Sequence, residues 1–290
     1  LVSSDFVVLP AINSMTGASG RQRADRGFIV NLKILIPPLP TQQKIADILS
    51  AYDDLIENNN SRIELLEKVA QNLYKEWFAR FRFPNYKETK FENGLPLGWK
   101  IFKLSELVET QYGYTASAES ENGGPKFLRI TDIAQKNLNW GNVPYCKIEE
   151  KELLKYLLEE GDILVARTGA TVGYAKRINK NSPQAIFASF LVRLKPKNKK
   201  LGLMIGMVVE SEQYKSFIQA IATGAAQPQA NAQLLTLFSM IVPDDNLVNS
   251  FNSIVEPIND QIENLLMKNR NLIKQRDLLL PRLMSGKLEV

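Results

Sequence analysis

Two long stretches of the chain step between mostly apolar positions in a strict alternation of three and four residues. The first runs through Leu49, Tyr52, Ile56, Asn59, Ile63, Leu66, Ala70, Leu73 and Trp77, and the second through Val255, Ile258, Ile262, Leu265, Asn269, Leu272, Arg276, Leu279 and Leu283. Such an alternation is the seam of a coiled coil, narrower than the stripe on an ordinary surface helix. The first helix is predicted from about Thr41 to Arg80, roughly 60 Å at ~1.5 Å per residue. That is longer than one small domain covers, so the two seams are expected to pack on each other. The chain between them leaves room for an antiparallel pair. Each seam is interrupted by one amide, Asn59 or Asn269. A buried asparagine there fixes register at some cost in stability; the alternative is an exposed turn.

The pattern ahead of each helix also repeats. Residues 1–19, "LVSSDFVVLPAINSMTGAS", run parallel to 208–226, "VVESEQYKSFIQAIATGAA". After a one-residue slip, "IVNLKILIPP" (29–38) matches "LTLFSMIVPD" (235–244). Helix, Thr-Gly loop, short apolar strand, proline stop and long helix therefore occur twice in one order, which predicts a duplicated module. No Met opens the sequence, and an apolar pattern is already under way at residue 1. The chain is thus expected to start partway into a domain.

Between the seams the texture changes. "QYGYTASAE", "GPKFLRITDIAQ", "GDILVARTGATVGYAKRI" and "AIFASFLVRLKP" are short β-branched or alternating runs punctuated by Gly, Pro and Asn. They predict a compact mixed or β-rich domain. "LGLMIGMVVESEQYKSFIQAIA" (201–222) reads as one closing helix. The predicted class is α+β, a mixed or β-rich domain flanked by two long antiparallel coiled-coil helices.

Composition adds little until it is localised. The net charge of +5 is only mildly basic. From Gly161 to Lys200, however, nine Lys or Arg stand against one acid, Asp162. A local basic field suits a phosphate backbone, and a solvated face is the alternative. Around the "TGATVG" turn, whose glycines would let a polyanion approach the backbone, Arg167, Thr168, Lys176 and Arg177 are the contact candidates. The single cysteine fits a reducing compartment. No apolar run reaches the ~20 residues a membrane helix needs. A cytoplasmic protein is expected.

Candidate chemistry is sparse. Histidine is absent and Cys146 stands alone, so neither a Cys/His nucleophile pair nor an ordinary zinc site can be assembled. No P-loop is present. The "TGASG" stretch lacks a strand before it, and no Asn/Asp-Pro-Pro-aromatic motif for adenine methylation occurs. "PDDN" (243–246) lacks a downstream Glu-x-Lys, so Asp244 and Asp245 are read as a turn and helix cap. No catalytic residue and no metal ligand are assigned. The chain is expected to bind and position while other subunits react.

Several motifs in order, "LKILIPPLPTQQKIADIL", "LPLGWKIFKLSEL", "FLRITDI", "GDILVARTGATVG", "TGAAQ" and "LLLPRLMSGKLEV", span nearly the whole chain. Through them it resembles the specificity subunits of type I restriction–modification systems. The resemblance implies two target-recognition domains, each followed by a long helix, with the helices paired antiparallel. It implies double-stranded DNA as a partner, each domain reading half of a bipartite target. It implies two adenine-N6 methyltransferase subunits and ATP-driven restriction and translocase subunits as further partners. S-adenosylmethionine, ATP and Mg would then serve those partners, with no cofactor bound by this chain.

On this resemblance, residues 1–38 are the end of a first recognition domain and 39–84 the first spacer helix. Residues 85–244 are the second recognition domain and 245–290 the second spacer helix. Either the front of a longer protein is left out, or the chain is naturally shortened. A shortened chain would read one half-target alone, and would need a partner or dimerise through its helices. The resemblance and the chemistry together nominate DNA contacts at Tyr112, Tyr114, Thr115, Lys126, Arg129, Arg167, Thr168, Lys176 and Arg177. In the two Thr-Gly loops they add Gln227 and Gln229, and Arg21 and Arg23. Lys and Arg would hold phosphates, while Arg, Gln and Asn read base edges. The seam residues Leu49, Ile56, Asn59, Ile63, Leu66, Leu73, Ile258, Ile262, Leu265, Asn269, Leu272 and Leu279 are assigned to helix pairing and to docking the methyltransferase subunits. The competing reading is a coiled-coil adaptor whose middle domain binds protein.

Overall fold

The computed structural model describes residues 5–17, 23–33, 36–120, 123–223, 227–284 and 288. In chain order, α1 (Asp5–Asn13), α2 (Arg26–Val30) and α3 (Leu39–Tyr74) run into a π-helical turn, Lys75–Ala79. A hairpin of β1 (Phe91–Glu92) and β2 (Leu95–Pro96) leads to β3 (Lys100–Lys103), α4 (Leu104–Leu107) and β4 (Val108–Tyr112). Next come β5 (Lys126–Leu128), α5 (Ile130–Ile133), α6 (Glu150–Tyr156), β6 (Ile163–Ala166) and β7 (Ala175–Arg177). The chain continues through β8 (Ala185–Phe187), β9 (Leu191–Pro196), α7 (Gly202–Val209), α8 (Glu212–Ile221), α9 (Ala232–Leu235), β10 (Ser239–Val242) and α10 (Asp245–Met284). Mixed helix and sheet, with two long helices, is the class expected. The chain divides into two compact units, residues 1–67 with 261–290 and residues 68–260.

In the first unit the two long helices run antiparallel. Asn59 Nδ2 donates to Asn269 Oδ1 at 2.8 Å, and Asn269 Nδ2 donates to Asn60 Oδ1 at 2.9 Å. Carrying that register along the helices sets Ile63 opposite Leu265 and Ile45 opposite Leu283, all four buried. Arg276 reaches Asp53 at 2.6 Å across the edge of the seam. None of the eighteen seam positions is exposed, so the three-four alternation marks the covered face of each helix.

The second unit is built on a four-stranded antiparallel sheet, ordered β4-β9-β6-β7. Strand β6, Ile163 to Ala166, is buried along its whole length, and therefore reads as a continuous apolar run. An antiparallel pair, β3 with β10, and a parallel pair, β5 with β8, stand outside that sheet. The core holds an aromatic cluster around Trp77, Phe78, Trp99 and Phe251, with Phe78 and Phe251 at 4.9 Å between ring centroids. A π-turn closes its hydrogen bonds over one more residue than an α-helix does. Here it accompanies burial of the adjacent Trp77 and Phe78 together.

The structure repeats where the sequence does. Helix α1 corresponds to α8, and α2 to α9. In each copy a threonine closes the loop by exchanging two backbone hydrogen bonds, Thr16 with Arg23 and Thr223 with Gln229. Each second helix is capped alike: Asp25 Oδ1 accepts from the Phe28 N–H, and Asn231 Oδ1 from the Leu234 N–H.

Three local expectations are corrected. The stretch 201–222 is two helices, because Ser211 Oγ accepts from the Tyr214 N–H and caps a new start. Of the strand expected at 29–38, residues 29–30 end α2, residues 31–33 and 36–38 carry no strand, and 34–35 lie outside the described residues. Its counterpart β10 is a strand because β3 completes its ladder, Met240 opposite Phe102. Among the described residues nothing supplies such an edge to the first copy. The covering differs accordingly: Leu235 and Thr236 are buried, whereas the matching Ile29 and Val30 are exposed. Lastly, Gly173 does not open the "TGATVG" turn to a ligand. It holds φ +83°, and a Cβ there would meet Ile218 at 3.1 Å, so its smallness serves packing against α8.

Candidate nucleic-acid interface

Strands β4 and β6 flank β9 with Tyr112 opposite Val192 and Ala166 opposite Leu191, so their ends lie at one end of the sheet. Arg167 leaves β6 there. The second Thr-Gly loop is stitched to the same place: the Gly169 N–H donates to the Pro228 carbonyl at 2.8 Å, and the Ala230 N–H to the Arg167 carbonyl at 2.9 Å. Gln229 thereby bridges both Thr168 and Thr223. Tyr112 ties the group together, its hydroxyl accepting from the Ala232 N–H at 3.0 Å at the start of α9.

Arg167 lies half-buried with its guanidinium carbon 5.0 Å from the centroid of the Tyr112 ring. Its Nη1 donates to the Ser189 carbonyl at 3.4 Å, while Nε is buried without a hydrogen-bond partner. Gln227 and Gln229, in the loop bonded to its backbone, are exposed, and Thr168 is buried. The close approach of β4 to the 187–191 turn depends on Gly113. A Cβ there would lie 2.2 Å from the Ala188 carbonyl oxygen. Across this contact the Tyr114 N–H donates to Phe187, and the Ser189 N–H to Tyr114. Tyr114 packs against Tyr156, ring centroids 5.2 Å apart, whereas Thr115 is exposed.

The other nominated cations are held elsewhere. Lys126 Nζ donates to the Val143 carbonyl at 2.7 Å and covers the Tyr145 ring. Arg129 forms a two-point pair with Asp132 at 3.0 and 3.1 Å. Lys176 Nζ donates to the Lys136 carbonyl at 2.8 Å. Arg177 pairs with Glu210 at 2.8 Å, and its methylenes lie against Gly206. In the first copy Arg23 is exposed, and Arg21 lies outside the described residues.

Most of the basic stretch 161–200 is balanced by acids distant in sequence. Arg177 meets Glu210, Lys180 meets Asp260, Arg193 meets Asp162, Lys195 meets Glu159 and Lys200 meets Asp245. Lys197 holds the backbone carbonyls of Ser105 and Glu106. Burial pushes the Asp162 carboxyl up, opposed by the Glu159 N–H and the Arg193 guanidinium. The hydrogen bond from Lys195 holds Glu159 below the usual carboxylate range. Arg167, which has no carboxylate partner among the described residues, is thus set apart from most of its basic neighbours.

Phe190 is a residue that sequence reading missed. It is 54% exposed in the turn between β8 and β9, and its carbonyl accepts from the Arg167 N–H at 3.1 Å. Its signal was an aromatic in "ASF", between two apolar strands. Aromatics, exposed amides and one held guanidinium make a patch suited to hydrogen bonding and stacking with planar partners. No helix among the described residues is long and apolar enough to cross a membrane.

Residues 6–68 and 96–266 match the family described as type I restriction modification DNA specificity domain. The chain is 27% identical over 288 residues to the type I restriction enzyme MjaVIII specificity subunit of Methanocaldococcus jannaschii, covering 96% of this chain and 67% of that protein. It is 24% identical to the MjaIX specificity subunit of the same organism, covering 96% and 66%. The chain thus spans about two thirds of the length of these relatives. The crystal structure of a type I restriction-modification S subunit from M. genitalium superposes with a TM-score of 0.56 at 14% identity, covering 96% of this chain and 71% of that one, a likeness of fold. The chain belongs to this family of specificity domains, the non-catalytic DNA-recognition components of type I restriction systems.

Proposed function

We propose that this member of the type I specificity family reads one half of a bipartite double-stranded DNA target with its second compact unit. The contacts would come from Arg167, Gln227 and Gln229, held in place by Tyr112 and Thr168. The observation that carries the reading is the convergence of three chain segments on Arg167, a half-buried guanidinium with no carboxylate partner among the described residues. In the same reading the paired helices space recognition units along DNA. They also dock two adenine-N6 methyltransferase subunits and, for cleavage, ATP-driven restriction subunits. S-adenosylmethionine, ATP and Mg then belong to those partners, and the complex works in the cytoplasm. This assembly is inferred from the family and from relatives that are specificity subunits of type I restriction enzymes.

One observation favours the adaptor reading instead: five of the nine cations between 161 and 200 are already paired with carboxylates. A salt titration of duplex binding by the whole chain, alone and with methyltransferase subunits, separates the two. Recognition predicts binding at low salt that weakens log-linearly as salt rises, through counterion release. Absence of binding at low salt, with the partner subunits added, supports the adaptor.

A further inference from the structure

Resting on the DNA-recognition reading, we propose that Arg167 reads a guanine edge in the major groove and that Tyr112 is its positioning residue. A phosphate contact asks only for positive charge, which a mobile lysine supplies. Arg167 is held instead by three restraints. Its backbone is fixed to the second Thr-Gly loop through Ala230, its guanidinium lies over the Tyr112 ring, and Nη1 is tethered to the Ser189 carbonyl. A planar fork whose orientation is set in advance matches two acceptors in one plane, the O6 and N7 of guanine.

The surroundings point the same way. The segments hydrogen-bonded to Arg167 and Gly169 carry Ser189, Phe190, Gln227 and Gln229, none of them charged. Phosphate tracking calls for several cations in a row, and five of the other eight between 161 and 200 are paired with carboxylates. Exposed Phe190, whose carbonyl accepts from the Arg167 N–H, offers an apolar surface of the kind that meets a thymine methyl. The Tyr112 hydroxyl is spent on the Ala232 N–H, which leaves its ring face as the support for Arg167.

The test uses the whole chain with its methyltransferase subunits, and measures affinity for every single-base variant of the half-site selected by the wild type. One wild-type position is expected to demand guanine, and 7-deazaguanine there, lacking N7, should weaken binding about tenfold or more. Both R167A and R167K should lose that preference, keep the preferences at other positions, and become indifferent to 7-deazaguanine. The salt slope should be unchanged in R167K. For Tyr112, Y112L should relax the same position and Y112F should restore it, because the ring and not the hydroxyl supports the fork. A uniform loss of affinity in R167A, with base preferences intact and a salt slope shallower by about one, would make Arg167 a phosphate contact and overturn the proposal. A wild type that selects no sequence would instead remove the recognition reading beneath it.

Discussion

The side-chain amide of Asn59 donates to that of Asn269 at 2.8 Å, both residues buried where two antiparallel helices face each other. Asn269 then donates to Asn60 at 2.9 Å. Slipping either helix would separate the amides and leave each facing an apolar neighbour, so the pair defines one register among those an apolar seam permits.

That arrangement makes the two amides energetically coupled. Asn59→Leu leaves the Asn269 amide short of a partner, at an expected cost of about 1–3 kcal/mol. Asn59→Leu combined with Asn269→Leu should cost less than the sum of the single changes, because an apolar pair fills the seam. Denaturant unfolding of the four proteins measures the coupling. Strictly additive losses would show that the amides do not act together.

Phe251 is fully buried, with its ring centroid 4.9 Å from Phe78 and 5.8 Å from Trp77. Phe251→Ala is expected to destabilise the second unit by about 3–5 kcal/mol through lost burial and the cavity left behind. Tryptophan fluorescence during unfolding reports it directly.

Gly113→Ala places a methyl carbon 2.2 Å from the Ala188 carbonyl oxygen unless β4 moves. Tyr112 and Tyr114 flank that residue and would shift with it. DNA affinity is therefore expected to fall more than unfolding stability, the two read by anisotropy and denaturant titration on the same sample. Unchanged affinity would detach this strand end from the interface.

Cys146 is buried, and burial, helped by the charge of Glu119, pushes its thiol up. A thiol reagent at pH 8 should react slowly with the native chain and quickly once denaturant unfolds it. The sign for stability follows from proton release. As pH rises through the ordinary thiol range, the unfolded chain loses its proton first, so this group makes folding less favourable as pH rises until the folded thiol also ionises. Cys146→Ser should flatten that part of the stability profile.

The helices were legible because their seams encode geometry locally: three-four spacing over nine positions leaves little else for Ile63 or Leu265 to do. The duplicated loop was legible for a similar reason, since Thr16 and Thr223 each close it within a few residues. What stayed hidden depended on distant partners. The same apolar pattern forms a strand at Ser239–Val242 because β3 lies beside it, and forms none in the described part of 31–38. Likewise the basic run reads in sequence as a free field, because Glu159, Glu210 and Asp260, which neutralise Lys195, Arg177 and Lys180, lie about 30 to 80 residues away. Arg167 was named in sequence as one cation among several; only the fold separates it from the rest.

The central claim is that this chain supplies sequence recognition to enzymes that lack it. Its direct test maps methylated adenines on random-sequence DNA treated with the methyltransferase subunits, with and without this chain. The account predicts methylation confined to one motif when the chain is present, with half of that motif altered when residues 94–243 are exchanged for those of a relative. Methylation of the same motif in its absence would contradict it.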